Sequence, residues 1–94
     1  MKKEFVIARG PAGVYAGYLI KENNKEVELE DCFCLWYYSG AASLSQLAME
    51  GVKKPDQCKF SISVPIMRLK DVFQIIPCSE EARENLLSVK RWKL

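Results

Sequence analysis

The sequence predicts an α+β fold that is mostly antiparallel β, a small sheet or partly open barrel of five to six strands with two short helices. Three observations predict it. Short runs in which apolar and polar residues alternate recur along the 94 residues, the periodicity of half-buried strands. Turn formers, Gly10-Pro11-Ala12-Gly13 and Glu22-Asn23-Asn24-Lys25, separate the early runs closely enough for hairpins. Ser43 and Ser79 each open a stretch with helical spacing.

Taken in order, Glu4 to Arg9 alternates as a first strand, and the glycine–proline turn ends it. Val14 to Lys21 resumes with β-formers, and Gly17 marks a bend or bulge because it has no side chain to pack. In the second turn an asparagine tolerates positive φ. Glu26 to Asp31 alternates strictly, Val27 and Leu29 inward and the glutamates outward. Cys32 to Tyr38 is apolar on both faces, which predicts a strand covered on both sides.

Ser43 and Gln46 form a capping box ahead of Leu44, Leu47 and Ala48, and Gly51 sits where a left-handed cap belongs. After a loop through Asp56, Lys59 to Met67 reads as one strand with Phe60, Ile62, Val64 and Ile66 inward. Pro65 lacks a donor, so that strand is an edge strand or ends early. Leu69 to Ile76 reads as the last strand, stopped by Pro77. Ser79 caps a final helix with Glu80 and Glu81 at its positive end and Ala82, Leu86 and Val89 as its packing stripe. Trp92 is expected to fold back as an anchor.

Ninety-four residues predict a single domain, 1–94, with no linker or repeat. With 14 basic and 12 acidic residues, net +2, the balance argues against a DNA-coating protein. Lys90, Arg91 and Lys93 are a local basic cluster that reads more simply as a solvated terminus. Met1-Lys2-Lys3-Glu4 leads into a strand with no apolar leader, and no stretch nears the roughly 18 apolar residues of a membrane span. A soluble, cytoplasmic protein with no membrane partner is expected, with Cys32, Cys34, Cys58 and Cys78 reduced.

Histidine is absent, which removes the commonest general base and zinc ligand. No phosphate loop, dinucleotide fingerprint or nucleophile elbow occurs. The cysteines lack the paired spacing of a zinc ribbon. The expectation is a protein that is not an enzyme and holds no metal or cofactor.

The informative run is Trp36-Tyr37-Tyr38-Ser39-Gly40-Ala41-Ala42-Ser43-Leu44-Ser45-Gln46, where aromatics end a strand, small residues follow and a capped helix begins. Rim aromatics stack bases, small residues admit a ligand to the backbone, and Lys53, Lys54 and Lys59 follow as cations. The same residues also read as core aromatics before a well-capped helix, and composition does not separate the two readings.

This run, with Glu50-Gly51-Val52-Lys53-Lys54-Pro55, Cys58-Lys59-Phe60 and Ile75-Ile76-Pro77-Cys78, resembles a family of small phage and prophage proteins that carry a domain of unknown function. The resemblance covers the chain from about Val14 onward. The family pattern often has Trp-Tyr-Trp where this chain has Trp36-Tyr37-Tyr38. The resemblance implies an accessory protein that acts by binding. Sequestration of a small nucleotide-type immune signal is the expected function, with Trp36 and Tyr38 stacking, Ser43 and Ser45 donating hydrogen bonds and Lys53 supplying charge. A nucleic-acid-binding β module and a host-protein interaction module are the alternatives. The surplus of aromatics in so short a chain predicts a homo-oligomer.

Overall fold

The computed structural model describes residues 3–94; the chain start read at Met1 and Lys2 lies outside them. β1 (Glu4–Gly10), β2 (Gly13–Asn23) and β3 (Glu26–Tyr37) form an antiparallel meander. Its turns are as tight as the sequence demands: Pro11-Ala12 precedes Gly13 at φ 125°, and Asn24 takes φ 56°. Next come α1 (Leu44–Glu50), a 3-10 turn at Pro55–Gln57, β4 (Lys59–Phe60), β5 (Val64–Leu69), β6 (Gln74–Pro77) and α2 (Glu80–Ser88).

The strands make one open sheet in the order β4-β3-β2-β1-β6, with β5 beside the other half of β3. Every pairing between these strands is antiparallel. The α+β class read from the sequence therefore holds, with six strands and two α-helices among the described residues. Among the described residues no helix is long and apolar enough to cross a membrane.

The sheet has a core on each face. On one, α1 and α2 bring Leu47, Ala48 and Leu86 against Phe5, Ile7, Phe33 and Phe60. On the other, Val6, Ala8, Val27, Leu29 and Cys32 pack with Leu69 and Val72. β1 lies between β2 and β6, so Phe5, Val6, Ile7 and Ala8 are all buried.

β3 joins the two runs that the sequence separates at Asp31. The residue pairs Ala16–Phe33 and Tyr18–Glu30 leave one extra residue in β3 opposite Gly17, a β-bulge, and Asp31 takes φ 52° there. The bulge flips the alternation, so Val27, Leu29 and Cys32 share one face while Phe33 and Leu35 turn to the helices. Gly17 meets this bulge closely: a Cβ on it would lie 3.0 Å from the Glu30 carbonyl oxygen. A second shift leaves Ile20 as the extra residue in β2, and it projects into solvent.

Three expectations are corrected. β3 is not covered on both sides to its end: Trp36 is 63% and Tyr37 52% exposed, because its pairing with β2 stops at Cys34–Tyr15 and β4 is only two residues long. The strand expected from Lys59 to Met67 is two strands. β4 pairs with β3 at Leu35–Tyr37 and β5 at Val27–Cys32, so residues 61–63 must step past Cys34. Ser61 bridges that step, its Oγ accepting from the Cys34 N–H at 2.7 Å and its own N–H donating to the Cys34 carbonyl at 3.0 Å. Of the residues expected inward, Phe60 and Val64 are so, but Ile62 and Ile66 are exposed while Met67 and Leu69 turn inward. Pro65 does sit on an edge strand, since among the described residues β5 pairs only with β3.

The last strand is Gln74–Pro77 rather than Leu69–Ile76. Residues 70–73 instead cross from the β3 edge to the β1 edge, through Asp71 at φ 60°. Val72 N–H donates to Lys25 O and Phe73 N–H to Arg9 O, which ties the crossing to both hairpin ends.

Candidate functional site

The helix starts are capped as the sequence directs. Ser43 Oγ accepts from the Gln46 N–H at 3.1 Å, and Ser79 Oγ from the Ala82 N–H at 3.0 Å. Gln46 Oε1 reaches one residue further back than a standard capping box and accepts from the Ala42 N–H at 2.8 Å. The start of α1 is thus closed by its own chain. Gly40 is small for an internal reason: a Cβ there would lie 2.6 Å from the backbone nitrogens of Lys53 and Lys54, and Lys53 N–H donates to Gly40 O.

The five residues selected from sequence divide accordingly. Tyr38 is half-buried against the helix-side core. Ser43 caps α1, Ser45 is exposed on its first turn, and Lys53 Nζ lies 3.5 Å from Glu50 Oε1. Trp36 lies at the exposed end of β3.

What Trp36 meets is the C-terminal tail. After α2, Val89 is buried, Arg91 forms a parallel bridge with Phe60, and Trp92 N–H donates to Phe60 O at 2.9 Å. The basic tail is therefore pinned to β4 rather than free in solvent. This pinning lays the Trp92 indole on Trp36 with centroids 5.3 Å apart and planes 12° from parallel. Lys59 Nζ stands 5.3 Å from each ring centroid, a cation shared by two π faces. The expectation that Trp92 folds back is met by its backbone, while its ring stays half exposed.

Beside Trp92 runs an open groove of about 530 Å³, whose lining includes Asp56, Ser88, Lys90, Arg91 and Lys93. Arg91 lies inward of the rest, its guanidinium carbon 3.7 Å from the Phe33 centroid. Burial lowers its pKa from the usual arginine value.

Cys32 and Cys78 are ill-suited to nucleophilic work. Burial, then the neighbouring Cys34, pushes Cys32 up to about 12, and burial does the same for Cys78; thiolate is the reactive form. Among the described residues no three His, Cys, Asp or Glu side chains gather as a metal set would.

Sequence reasoning named Trp36 and noted Lys59 but missed Trp92 and Arg91 as partners. The available signal was a tryptophan set among basic residues, Lys90-Arg91-Trp92-Lys93.

Fold and face together define a small antiparallel α+β domain that displays stacked indoles and cations at one end of its sheet. The chain belongs to the family of the domain of unknown function DUF6948, whose sequence model matches residues 2–86. Trp36 and Lys59 lie within the matched residues, and Arg91 and Trp92 follow them. No curated protein and no solved structure matches the chain significantly.

Proposed function

We propose that this protein is a non-enzymatic phage accessory protein that binds and sequesters a small nucleotide-type immune signal. The observation that carries the reading is the Trp36–Trp92 stack with Lys59 over both rings, more than half of Trp36 and half of Trp92 lying open to solvent. Exposed parallel indoles offer a flat apolar surface, and a purine or pyrimidine stacked on such a ring gains about 1–3 kcal/mol. Lys59 supplies a cation within 5.3 Å of both ring centroids. The function read from the sequence is kept, but its centre moves from the start of α1 to the end of β3 and the tail.

Calorimetry with a panel of cyclic dinucleotides and cyclic ADP-ribose isomers tests it. One member should bind and be recovered intact on denaturation, and Trp36→Ala and Trp92→Ala should each weaken binding about tenfold, the scale of one lost stacking contact. No heat from any member, at protein well above micromolar, rejects the reading.

The openness of the face favours a second reading, single-stranded nucleic acid lying across the indoles toward the basic tail. Counterion release then makes affinity fall steeply with salt. A mobility-shift assay at two salt concentrations separates the two, since a small ligand held by stacking loses little. Association of protomers into a homo-oligomer belongs to the first reading, because a second copy would enclose a ligand that one copy leaves open.

A further inference from the structure

Arg91 has binding capacity that the fold does not use. Its guanidinium covers the Phe33 ring, and Nη1 is buried with no acceptor on the protein. Among the described residues no hydrogen bond or ion pair reaches this side chain. Arg83 and Arg68 differ: Arg83 bonds Glu80 and the Tyr18 hydroxyl, and Arg68 lies near Glu28. Arg9 also lies over a ring, that of Phe73, but among the described residues only Arg91 has a buried nitrogen without a partner.

A buried polar N–H left without an acceptor is costly, and more so on a charged group. Nη1 itself is enclosed, but Arg91 is part-exposed and lines the groove, so an oxyanion there would meet the other N–H groups of the guanidinium, which have no partner either. The planar fork of a guanidinium suits carboxylate or phosphate, and a phenyl ring beneath it leaves the in-plane N–H groups as the only route for an anion. The groove chooses between the two. Lys90, Arg91 and Lys93 line it against the single acid Asp56, a balance that matches a multiply charged group better than one carboxylate.

We infer that Arg91 is the receptor for a phosphate group of a ligand lying in the groove beside Trp92. The inference rests on the nucleotide reading above and adds to it an anion subsite next to the stacking face. Lys90 and Lys93, both exposed, supply long-range attraction, while Arg91 supplies the directed hydrogen bonds.

Two probes separate the inference from the reading on which it rests: inorganic pyrophosphate, which cannot stack, and adenosine, which carries no phosphate. Titration of the full chain with pyrophosphate should shift the Arg91 Nε–Hε resonance. Arg91→Gln should weaken pyrophosphate binding by about tenfold or more, and Arg91→Lys by less, since lysine keeps the charge without the fork. Quenching of tryptophan fluorescence by adenosine should be the same in both variants as in the unaltered chain. Pyrophosphate that leaves the Arg91 resonance unmoved overturns the inference, as does undiminished pyrophosphate affinity in Arg91→Gln. Pyrophosphate binding through Arg91 with no quenching by adenosine would instead defeat the stacking reading and leave the anion subsite standing. The resonance shift is read on the unaltered chain, so the test survives any loss of stability in the variants.

Discussion

Cys32 shows how one enclosed side chain couples the fold to pH. It is fully buried among Val27, Leu29 and Leu69, and its Sγ lies 3.7 Å from Met67 Sδ. Unfolded, the thiol releases its proton near the usual 9.0; folded, it holds it to about 12. Between those values the unfolded chain binds fewer protons than the native one, so stability declines as pH rises. Below pH 9 the contribution is complete. The decline attributable to this thiol is on the order of 1 kcal/mol per pH unit. Urea unfolding of the protein and of Cys32→Ala at pH 8 and pH 10.5 isolates it. The gap between the two proteins should narrow at the higher pH, and a gap that stays constant would show that the thiol ionises in the folded state. At this scale the sequence offered only that Cys32 opens a run apolar on both faces; plain alternation from Val27 and Leu29 would turn it outward, and the bulge at Asp31 turns it in.

Elements were legible where their signals are local. The turns at Pro11-Ala12 and Asn24-Lys25 follow from residues that fix or tolerate their backbone angles, and both helix caps follow from a serine three residues before its N–H partner. The bulge at Asp31 was not legible, since the extra residue appears only when β3 is laid against β2, and apolar residues on both sides of it look like uniform burial. The step at Ser61 was hidden for the same reason: two strands share the edge of a third. The joint between the helices is another long-range device. Asn85 on α2 accepts from the Val52 N–H at 2.7 Å and donates to the Val52 carbonyl at 3.0 Å. Gly51 must stay bare beside it, as a Cβ there would lie 2.2 Å from Asn85 Oδ1. Asn85→Ala removes both partners from a part-buried peptide and should cost about 2–3 kcal/mol. A fall in the urea midpoint with an unchanged slope checks it. An unchanged midpoint would mean that water replaces the amide at no cost.

At the scale of the molecule, the outcome turns on where the surplus apolar surface lies. Half of the candidate site was legible: Trp36 and Lys59 announce themselves as an aromatic run followed by a cation, whereas Trp92 and Arg91 arrive from the far end of the chain through the backbone bridge to Phe60. A basic tail with no regular periodicity reads as solvated until β4 is seen to hold it. The same wide view bears on association. Trp36, Tyr37, Ile62, Ile66 and Phe73 are each about half exposed or more, and β5 carries Ile66 on a strand with one unpaired side. Only Pro65 and the flanking charges of Arg68 and Lys70 blunt that edge. A chain this short buries only about 60% of the surface its unfolded form exposes, so pairing across a two-fold axis would add stability that one chain's two cores lack. Such pairing at β5 leaves the tail face free, while pairing at the tail would cover Trp36 and Trp92 and enclose a ligand between copies. Sedimentation equilibrium at micromolar concentration should therefore give a dimer or a multiple of it, and Ile66→Lys should shift the equilibrium toward one chain if β5 is the contact. A mass that stays near 10.8 kDa on concentration would show that the exposed apolar residues are tolerated singly and that any ligand is held by one protomer alone.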